Sequence, residues 1–411
     1  MKGNAMERAE AAEAGFDPER LERIDAFLDE HYFAPELLAG AQLLIAREGK
    51  VVHFSTAGKA RASGEPMGED ALFRIASMTK PVTSIAFMML VEEGRATLDQ
   101  AVETVIPEWK DLGVYNGGGA GVPFLVKPPE RPMMMIDLLR HTSGLTYSFQ
   151  HRTNVDAVYR ERKIEGWHGG LDLDGFVAAL ADIPLEFSPG TAWNYSVSTD
   201  VLGLVVERVS GMKLDRFLQE RIFGPLGMVD TAFHVPPEKT GRLGDCWAFE
   251  QGKGARLYDK GEKSVWSRPP KLLAGGAGLV STVADYHRFC SMLLGGGELG
   301  GARIVARKTL ELMTANHLPG GADLTEMSRS LFSEAINAGQ GFGLGFGVNL
   351  DPAKTMLPGS KGEYYWGGMF STAFFVDPVE RLHMIFMTQL MPSSTYPIRR
   401  QLKTLIYAAL R

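Results

Sequence analysis

Cysteine is nearly missing from these 411 residues: only Cys246 and Cys290 occur, far apart and outside any C-x-x-C spacing. That excludes a disulfide framework or a cysteine-ligated metal site as the device that organises the chain. Cys290 lies in the helical pattern ADYHRFCSMLL, where an inert buried thiol is expected. Basic runs are absent too, and the net charge is −6, which argues against a nucleic-acid surface. No stretch approaches the roughly 20 uninterrupted apolar residues of a membrane span. The segment MKGNAMERAEAAEAGFD holds no apolar h-region of the secretory kind. The expectation is a cytoplasmic protein with neither a membrane nor a nucleic-acid partner. Several catalytic signatures are also missing. There is no G-x-S-x-G elbow, no H-E-x-x-H and no G-x-x-x-x-G-K-[ST]. One G-x-G-x-x-G match, GGGELG at 295–300, follows a helical pattern instead of a strand and reads as a helix-ending turn.

What is present is an ordinary globular composition, 45% hydrophobic and 22% charged, on a chain long enough for a large core. An amphipathic helix is predicted from Asp17 and Pro18 through ERLERIDAFLDEHYF. AQLLIAREGKVVHFSTAG reads as a hairpin about Glu48-Gly49. From Ser77 onward helical spacing dominates, in TSIAFMMLVEEG, IDLLRHTSGL, LDGFVAALADI, TDVLGLVVERVSG and LDRFLQERIFGPLG. The Gly-rich stretch NGGGAGVPFLVKPPERP is expected to be a mobile lid or a spacer loop. Beyond Gly275 come two helices, STVADYHRFCSMLLGGG and KTLELMTANH, then short strand-like runs, GFGLGFGVNL, GEYYWGG, STAFFVDP and RLHMIFMTQL, that read as an antiparallel meander. YPIRRQLKTLIYAAL closes the chain as a helix. The expected fold class is α+β: one antiparallel sheet built from both termini and flanked by helices, with a mostly helical domain inserted. The expected division is 1–75 with 275–411 for the sheet domain and 76–274 for the helical domain, the active site lying between them.

The stretch RIASMTKPVTSIAFMML at 74–90 carries the most chemistry. Residues three apart on a helix share a face, so Lys80 can set its amine beside the Ser77 hydroxyl, and Pro81 is tolerated in a first turn. The helix N-terminus favours negative charge developing at Ser77. S-x-x-K alone is weak, since about one or two matches are expected by chance in ordinary composition. A second match, Ser210 to Lys213, sits at a Gly-marked break between helices and reads as a turn. His141 and His287 each read as hydrogen-bonded structural residues. Tyr195, just past the Pro-Gly turn of FSPGTAWNYSVSTDVLG, could shuttle a proton beside a cationic lysine; its bland alternative is a half-buried aromatic in a turn.

Taken in order, SMTK at 77–80, LLRHTSGL at 138–145, PGTAWNYSV at 189–197, FGPLGMVDTAF at 223–233, GGAGLVST at 275–282 and WGGMFSTAFFVDP at 366–378 resemble the serine β-lactamase and penicillin-binding superfamily. The nearest branch is similar to the class C β-lactamase-like carboxylesterases, or family VIII esterases, and their acyltransferase relatives. The resemblance implies Ser77 as the nucleophile of an acyl-enzyme, with Lys80 and Tyr195 sharing the proton transfers. It implies an oxyanion hole from the backbone N–H groups of Ser77 and Met369. The family's Tyr-x-Asn motif reads Tyr195-Ser196-Val197 here, so the asparagine that helps hold a β-lactam amide is missing. Of the family's Lys-Thr-Gly motif there is a literal copy at Lys239-Thr240-Gly241, but it follows two prolines and precedes the terminal strands. Trp366-Gly367-Gly368 occupies the expected place and is the expected substrate-pocket strand. Losing the lysine removes a cation suited to a carboxylate. Trp366 offers an apolar wall or core packing, and the two glycines would let the strand backbone approach a ligand.

The resulting expectation is a serine carboxylesterase that uses no metal or cofactor and takes small, short-to-medium acyl esters. The alternatives carried forward are a β-lactamase or D-Ala-D-Ala peptidase, an acyltransferase using the same acyl-enzyme, and a non-catalytic binding protein that kept the fold.

Overall fold

A computed structural model describes residues 6–165, 170–329 and 338–411. Helix α1 (Pro18–Leu28) starts where its signals place it. The Asp17 carboxylate accepts from the Arg20 amide and proline fills the first turn, a cap worth about 1 kcal/mol. Strands β1 (Gly40–Arg47) and β2 (Lys50–Gly58) form the expected hairpin, with Glu48 and Gly49 both at positive φ, as a tight two-residue connection requires. Near the other end of the chain lie β3 (Gln340–Phe342), β4 (Gly347–Asn349), β5 (Tyr364–Gly367), β6 (Ala373–Asp377) and β7 (Leu382–Thr388). All seven join one sheet in the order β3-β4-β5-β6-β7-β1-β2, antiparallel at every step. The two termini do build one sheet.

Alternation along the strands sorts its two faces. Leu43, Ile45, Met384 and Phe386 pack with Leu21, Ile24 and Leu28 of α1 and with Leu402, Ile406 and Ala409 of the terminal helix. Leu44, Ala46, Phe374, Val376, Ile385 and Met387 face the larger core. That core includes α2 (Thr79–Glu92), α3 (Ser198–Ser210) and α4 (Val283–Leu294); α5 (Ile398–Ala409) lies on the opposite face. Every α2 residue from Thr79 to Leu90 is buried, so this helix is enclosed on all sides, between the sheet and the inserted helices. It packs closely against α3. Among the described residues no helix is long and apolar enough to cross a membrane.

One expectation about the insertion fails. NGGGAGVPFLVKPPERP is not a bare lid or spacer: Val114–Gly119 and Val122–Lys127 pair as an irregular hairpin, with register shifts on the glycine strand. Glycines hide strand character from a propensity reading, while Val122-Pro123-Phe124-Leu125-Val126 supplies a partner that can impose it. A second hairpin, Cys246–Glu250 with Gly254–Asp259, pairs in parallel with Leu390–Met391, beside the last strands of the chain.

Candidate active site

Ser77 is held by an unusual turn. The apolar run Leu72-Phe73 enters as a short strand, Arg74 pairs with Val280, and Ala76 then takes a left-handed φ of 45° before the chain enters α2. A non-glycine residue there costs on the order of 1–2 kcal/mol, and it is sustained because the surroundings fix both sides. The Ile75 amide donates to Leu279 O, and the Thr372 hydroxyl donates to Ile75 O at 3.3 Å. Ser77 therefore stands on a half-buried corner at the head of a fully buried helix.

Lys80 follows one turn later and is 1% exposed. Its Nζ lies 3.3 Å from Ser77 Oγ, 3.0 Å from the Tyr147 hydroxyl and 2.8 Å from Gly276 O, and sits over the Tyr195 ring, 4.5 Å from its centroid. These acceptors suit either protonation state. An ammonium donates to all three; a neutral amine donates to Tyr147 and Gly276 and turns its lone pair to the Ser77 hydroxyl. Glycine is needed at 276, where a Cβ would stand 2.6 Å from the Asp200 carboxylate, and at 275, where it would meet Thr199 O at 2.7 Å. Those two positions let the backbone reach Lys80 from one side and Asp200 from the other.

Asp200, in the first turn of α3, accepts from the Gly276 amide at 2.9 Å and faces the Tyr147 hydroxyl. Burial pushes its carboxyl upward, and the nearby Lys80 charge opposes that shift. The Tyr147 phenol is pushed well above its usual range by burial and then by Asp200. The result is a buried line of groups, Ser77 to Lys80 to Tyr147 to Asp200. Neither Tyr147 nor Asp200 was singled out from sequence. Tyr147 directly follows the LLRHTSGL stretch, and an acidic residue in a first helical turn looks like an ordinary response to the helix dipole.

Tyr195 is 2% exposed. Its hydroxyl accepts from Trp366 Nε1 at 3.3 Å, and its ring packs against Trp366 and His141 at 5.4 and 4.9 Å between centroids. Ser196 hydrogen-bonds His141 Nδ1 at 3.2 Å and the Ser198 hydroxyl at 2.7 Å, and Ser198 meets Ser143, also at 2.7 Å. His141 is thus an interior residue of this polar cluster. Burial and the Lys80 charge hold its pKa well below the usual imidazole range. Trp366 is itself 2% exposed, with Phe342 edge-on at 5.2 Å, so it is packed beneath Tyr195 and steadies that hydroxyl.

Gly367 and Gly368 serve a different neighbour from the one expected of them. A Cβ on Gly367 would lie 2.5 Å from the Arg399 guanidinium carbon, and one on Gly368 would lie 2.5 Å from Ile75 O. The room they leave is taken by the protein's own groups. Gly368 thereby brings the turn after β5 against the corner that carries Ser77. Among the described residues the amide N–H groups of Ser77 and Met369 have no backbone or side-chain acceptor. Met369 is 40% exposed and Phe149, stacked on Tyr147, is 50% exposed.

The remaining sequence candidates fall elsewhere. Lys239-Thr240-Gly241 lies in a 3₁₀ turn, Pro237–Arg242, with Lys239 paired to Asp230 at 2.7 Å. Lys213 pairs with Glu207 at 2.8 Å and Ser210 closes the C-terminal turn of α3. His287 is buried against His383, and Cys246 and Cys290 are buried free thiols.

Comparison with known proteins agrees with this architecture. The family model described as Beta-lactamase matches residues 31–408. Protein Rv1367c of Mycobacterium tuberculosis is 34% identical over 87% of this chain and 87% of its own. Esterase EstB of Burkholderia gladioli is 31% identical over 94% of this chain and 95% of its own. The structure of EstCE1, described as a hydrolase with promiscuous acyltransferase activity, superposes with a TM-score of 0.78 at 23% identity, covering 95% of this chain and 99% of that one.

Proposed function

The chain belongs to the Beta-lactamase family, as a serine hydrolase of its esterase-like and acyltransferase-like branch, and on that premise we propose that it is a carboxylesterase acting through an acyl-serine on small, short-to-medium acyl esters. The observation that carries this reading is the Lys80 amine, buried and 3.3 Å from Ser77 Oγ. In acylation Ser77 Oγ bonds the ester carbonyl carbon and its proton passes to Lys80. The oxyanion accepts from the Ser77 and Met369 N–H groups, and the C–O bond to the alcohol breaks as that oxygen takes the proton by way of Tyr195. Water then repeats the sequence in reverse, with Tyr195 and Lys80 taking its proton. Residues 1–75 with 275–411 form the wall that brings Met369, and 76–274 the wall that brings Lys80 and Tyr195.

Two features favour esters over β-lactams. Val197 is apolar where the β-lactamases' motif has asparagine, and Trp366 stands where the Lys-Thr-Gly motif would place a lysine to receive a carboxylate. The test is hydrolysis of p-nitrophenyl acetate, butyrate and octanoate by wild type and Ser77→Ala, with nitrocefin alongside. Ester turnover lost in the variant, with nitrocefin slow, supports the reading; equal ester turnover in both proteins removes Ser77 as nucleophile. A second reading, transfer of the acyl group to an alcohol, draws on the description of EstCE1. It is tested by product analysis with added methanol or butanol, where new ester formed at the expense of acid would mark transfer.

A further inference from the structure

Several side chains anchor the turn that presents Met369: the Ser371 hydroxyl donates to Leu390 O, the Thr372 hydroxyl to Ile75 O, and Arg399 holds it from the side of α5. Arg399, in the first turn of α5, donates from Nη2 to Gly368 O at 2.7 Å and to Thr372 O at 2.9 Å. Thr372 O also accepts from the Gly368 amide at 2.8 Å, and Gly368 O from the Ser371 amide at 3.1 Å. One guanidinium nitrogen therefore holds the two carbonyls that close the β5–β6 turn. The Gly368 carbonyl and the Met369 N–H belong to the same peptide group. That group is planar and trans, so its C=O and N–H point in opposite directions. Fixing the oxygen toward Arg399 aims the Met369 N–H away from α5, and the turn's far side rests on Ile75 O and Ala76. A cation hydrogen-bonded to the carbonyl also polarises the amide, which makes its N–H a stronger donor.

From this geometry we propose that Arg399 is a positioning residue for the oxyanion hole: it orients and polarises the Gly368–Met369 peptide so that the Met369 N–H meets the developing oxyanion. This rests on the acyl-serine reading above. It also gives Gly367 a reason, because any side chain there would drive into the guanidinium. The effect of Arg399 belongs to the charged tetrahedral species and not to the bound ester, whose carbonyl is a weaker acceptor.

The experiment compares wild type, Arg399→Ala, Arg399→Lys, Gly367→Ala and the Gly367→Ala/Arg399→Ala double variant on p-nitrophenyl butyrate. Affinity for an alkylboronic acid, which becomes tetrahedral on Ser77, is measured beside affinity for the product acid. Complete loss of one oxyanion donor costs about 10²–10³ in kcat, and a misaimed donor is expected to cost about 10–100-fold. Expected are that loss in kcat for Arg399→Ala with KM within about twofold, a parallel loss of boronic acid affinity, and unchanged product affinity. Added guanidinium should restore part of kcat in Arg399→Ala but none in Gly367→Ala, whose Cβ occupies the space. The double variant should be no worse than Arg399→Ala, because both changes remove one interaction. Arg399→Lys, which retains a cation but loses the fork, covers the case in which alanine impairs folding, and should fall between alanine and wild type. Folded Arg399 variants with wild-type kcat, or with product and boronic acid affinities reduced equally, overturn the proposal while loss of turnover in Ser77→Ala leaves the acyl-serine intact. Turnover persisting in Ser77→Ala overturns the reading beneath it instead.

Discussion

Two buried clusters in this protein use the same side chains to different ends. On one side of the sheet, Lys80, Tyr147 and Asp200 stand beneath Ser77. On the other, Lys403 and Tyr407 of α5 meet Glu363 and Asp377. Lys403 bonds Glu363 directly, Nζ to carboxylate oxygen at 2.6 Å, and the Tyr407 hydroxyl lies 2.6 Å from both Glu363 and Asp377. Lys80 meets Ser77 Oγ, the Tyr147 hydroxyl and Gly276 O, and the Tyr147 hydroxyl it touches also faces Asp200. A buried lysine pressed onto a carboxylate is a structural tie that is costly to break. Lys80 instead places its Nζ 3.3 Å from the Ser77 hydroxyl, and on the proposed mechanism the two exchange a proton. On that mechanism it is the placing of Lys80 against the Ser77 hydroxyl, and not composition, that distinguishes the first cluster from the second.

Removing each lysine is the sharpest way to break that comparison. On the proposed mechanism, in which Lys80 takes the Ser77 proton, Lys80→Met should lower kcat by about 10³-fold or more. Its thermal midpoint should move little, because Asp200 keeps the Gly276 N–H and Tyr147 as partners. Lys403→Met should do the reverse. Glu363 is 1% exposed, and leaving it unpaired costs about 3–5 kcal/mol in a urea titration, with kcat of the folded fraction unchanged. Equal loss of kcat in both would merge the two clusters functionally. The tyrosines repeat the contrast at lower amplitude. Tyr147→Phe is expected to cost about 10–100-fold in kcat with stability nearly unchanged. Tyr407→Phe removes the hydroxyl that Glu363 and Asp377 share, while Lys403 still holds Glu363 and the Val379 and Glu380 amides still hold Asp377; it costs about 1–3 kcal/mol of stability and spares turnover.

A third buried pair, with no carboxylate bonded to it among the described residues, shows burial as the leading cause, with the Arg288 charge adding to it at His287. His287 Nδ1 and His383 Nε2 are 2.8 Å apart between α4 and β7, and burial lowers both imidazoles, His287 to about 4. The folded pKa lies below the ordinary 6.5, so the unfolded chain takes up protons first as pH falls. The stability is fully present above pH 6.5 and is lost on acidification, by about 2 kcal/mol between pH 7 and 5 from His287 alone. Urea midpoints at those two pH values should differ accordingly in wild type and much less in His287→Leu/His383→Leu. An identical slope in both would remove the pair as the cause.

How much of this could be read beforehand follows the range of the interactions. The β1–β2 hairpin, α1 and the terminal meander are set by local periodicity and turn residues, and they lie where Pro18, Glu48-Gly49 and the alternating runs put them. Ser77 and Lys80 are three residues apart, so one helical turn relates them. Tyr195 was reachable through the ordered set of motifs. What escaped is long-range. Ala76 adopts left-handed φ for reasons supplied by Leu279 and Thr372, and the strand Val114–Gly119 owes its pairing to the strand after it. Asp200 gains meaning only through Gly276, Tyr147 only through Lys80, and Arg399 only through a carbonyl 31 residues earlier. In PIRRQLK nothing local separates Arg399 from Arg400, yet the second donates to Thr355 O at 3.3 Å, away from the Ser77 turn.

The finest test of the contrast is Asp200→Asn, which removes a charge while keeping a side-chain carbonyl able to accept from the Gly276 amide. The Lys80 charge holds the Asp200 carboxyl down against burial; by linkage, the Asp200 charge equally favours the protonated amine. Neutralising it makes Lys80 release its proton at lower pH. If acylation requires the free amine, the acid limb of kcat/KM should move to lower pH by about one unit, which is about 1.4 kcal/mol of interaction across the tyrosine. Plateau kcat should fall by no more than about tenfold. Asp377→Asn, the matching change in the second cluster, should leave that limb where it is. An acid limb moved upward or left in place in Asp200→Asn would mean that the proton exchanged with Ser77 is not held by Lys80.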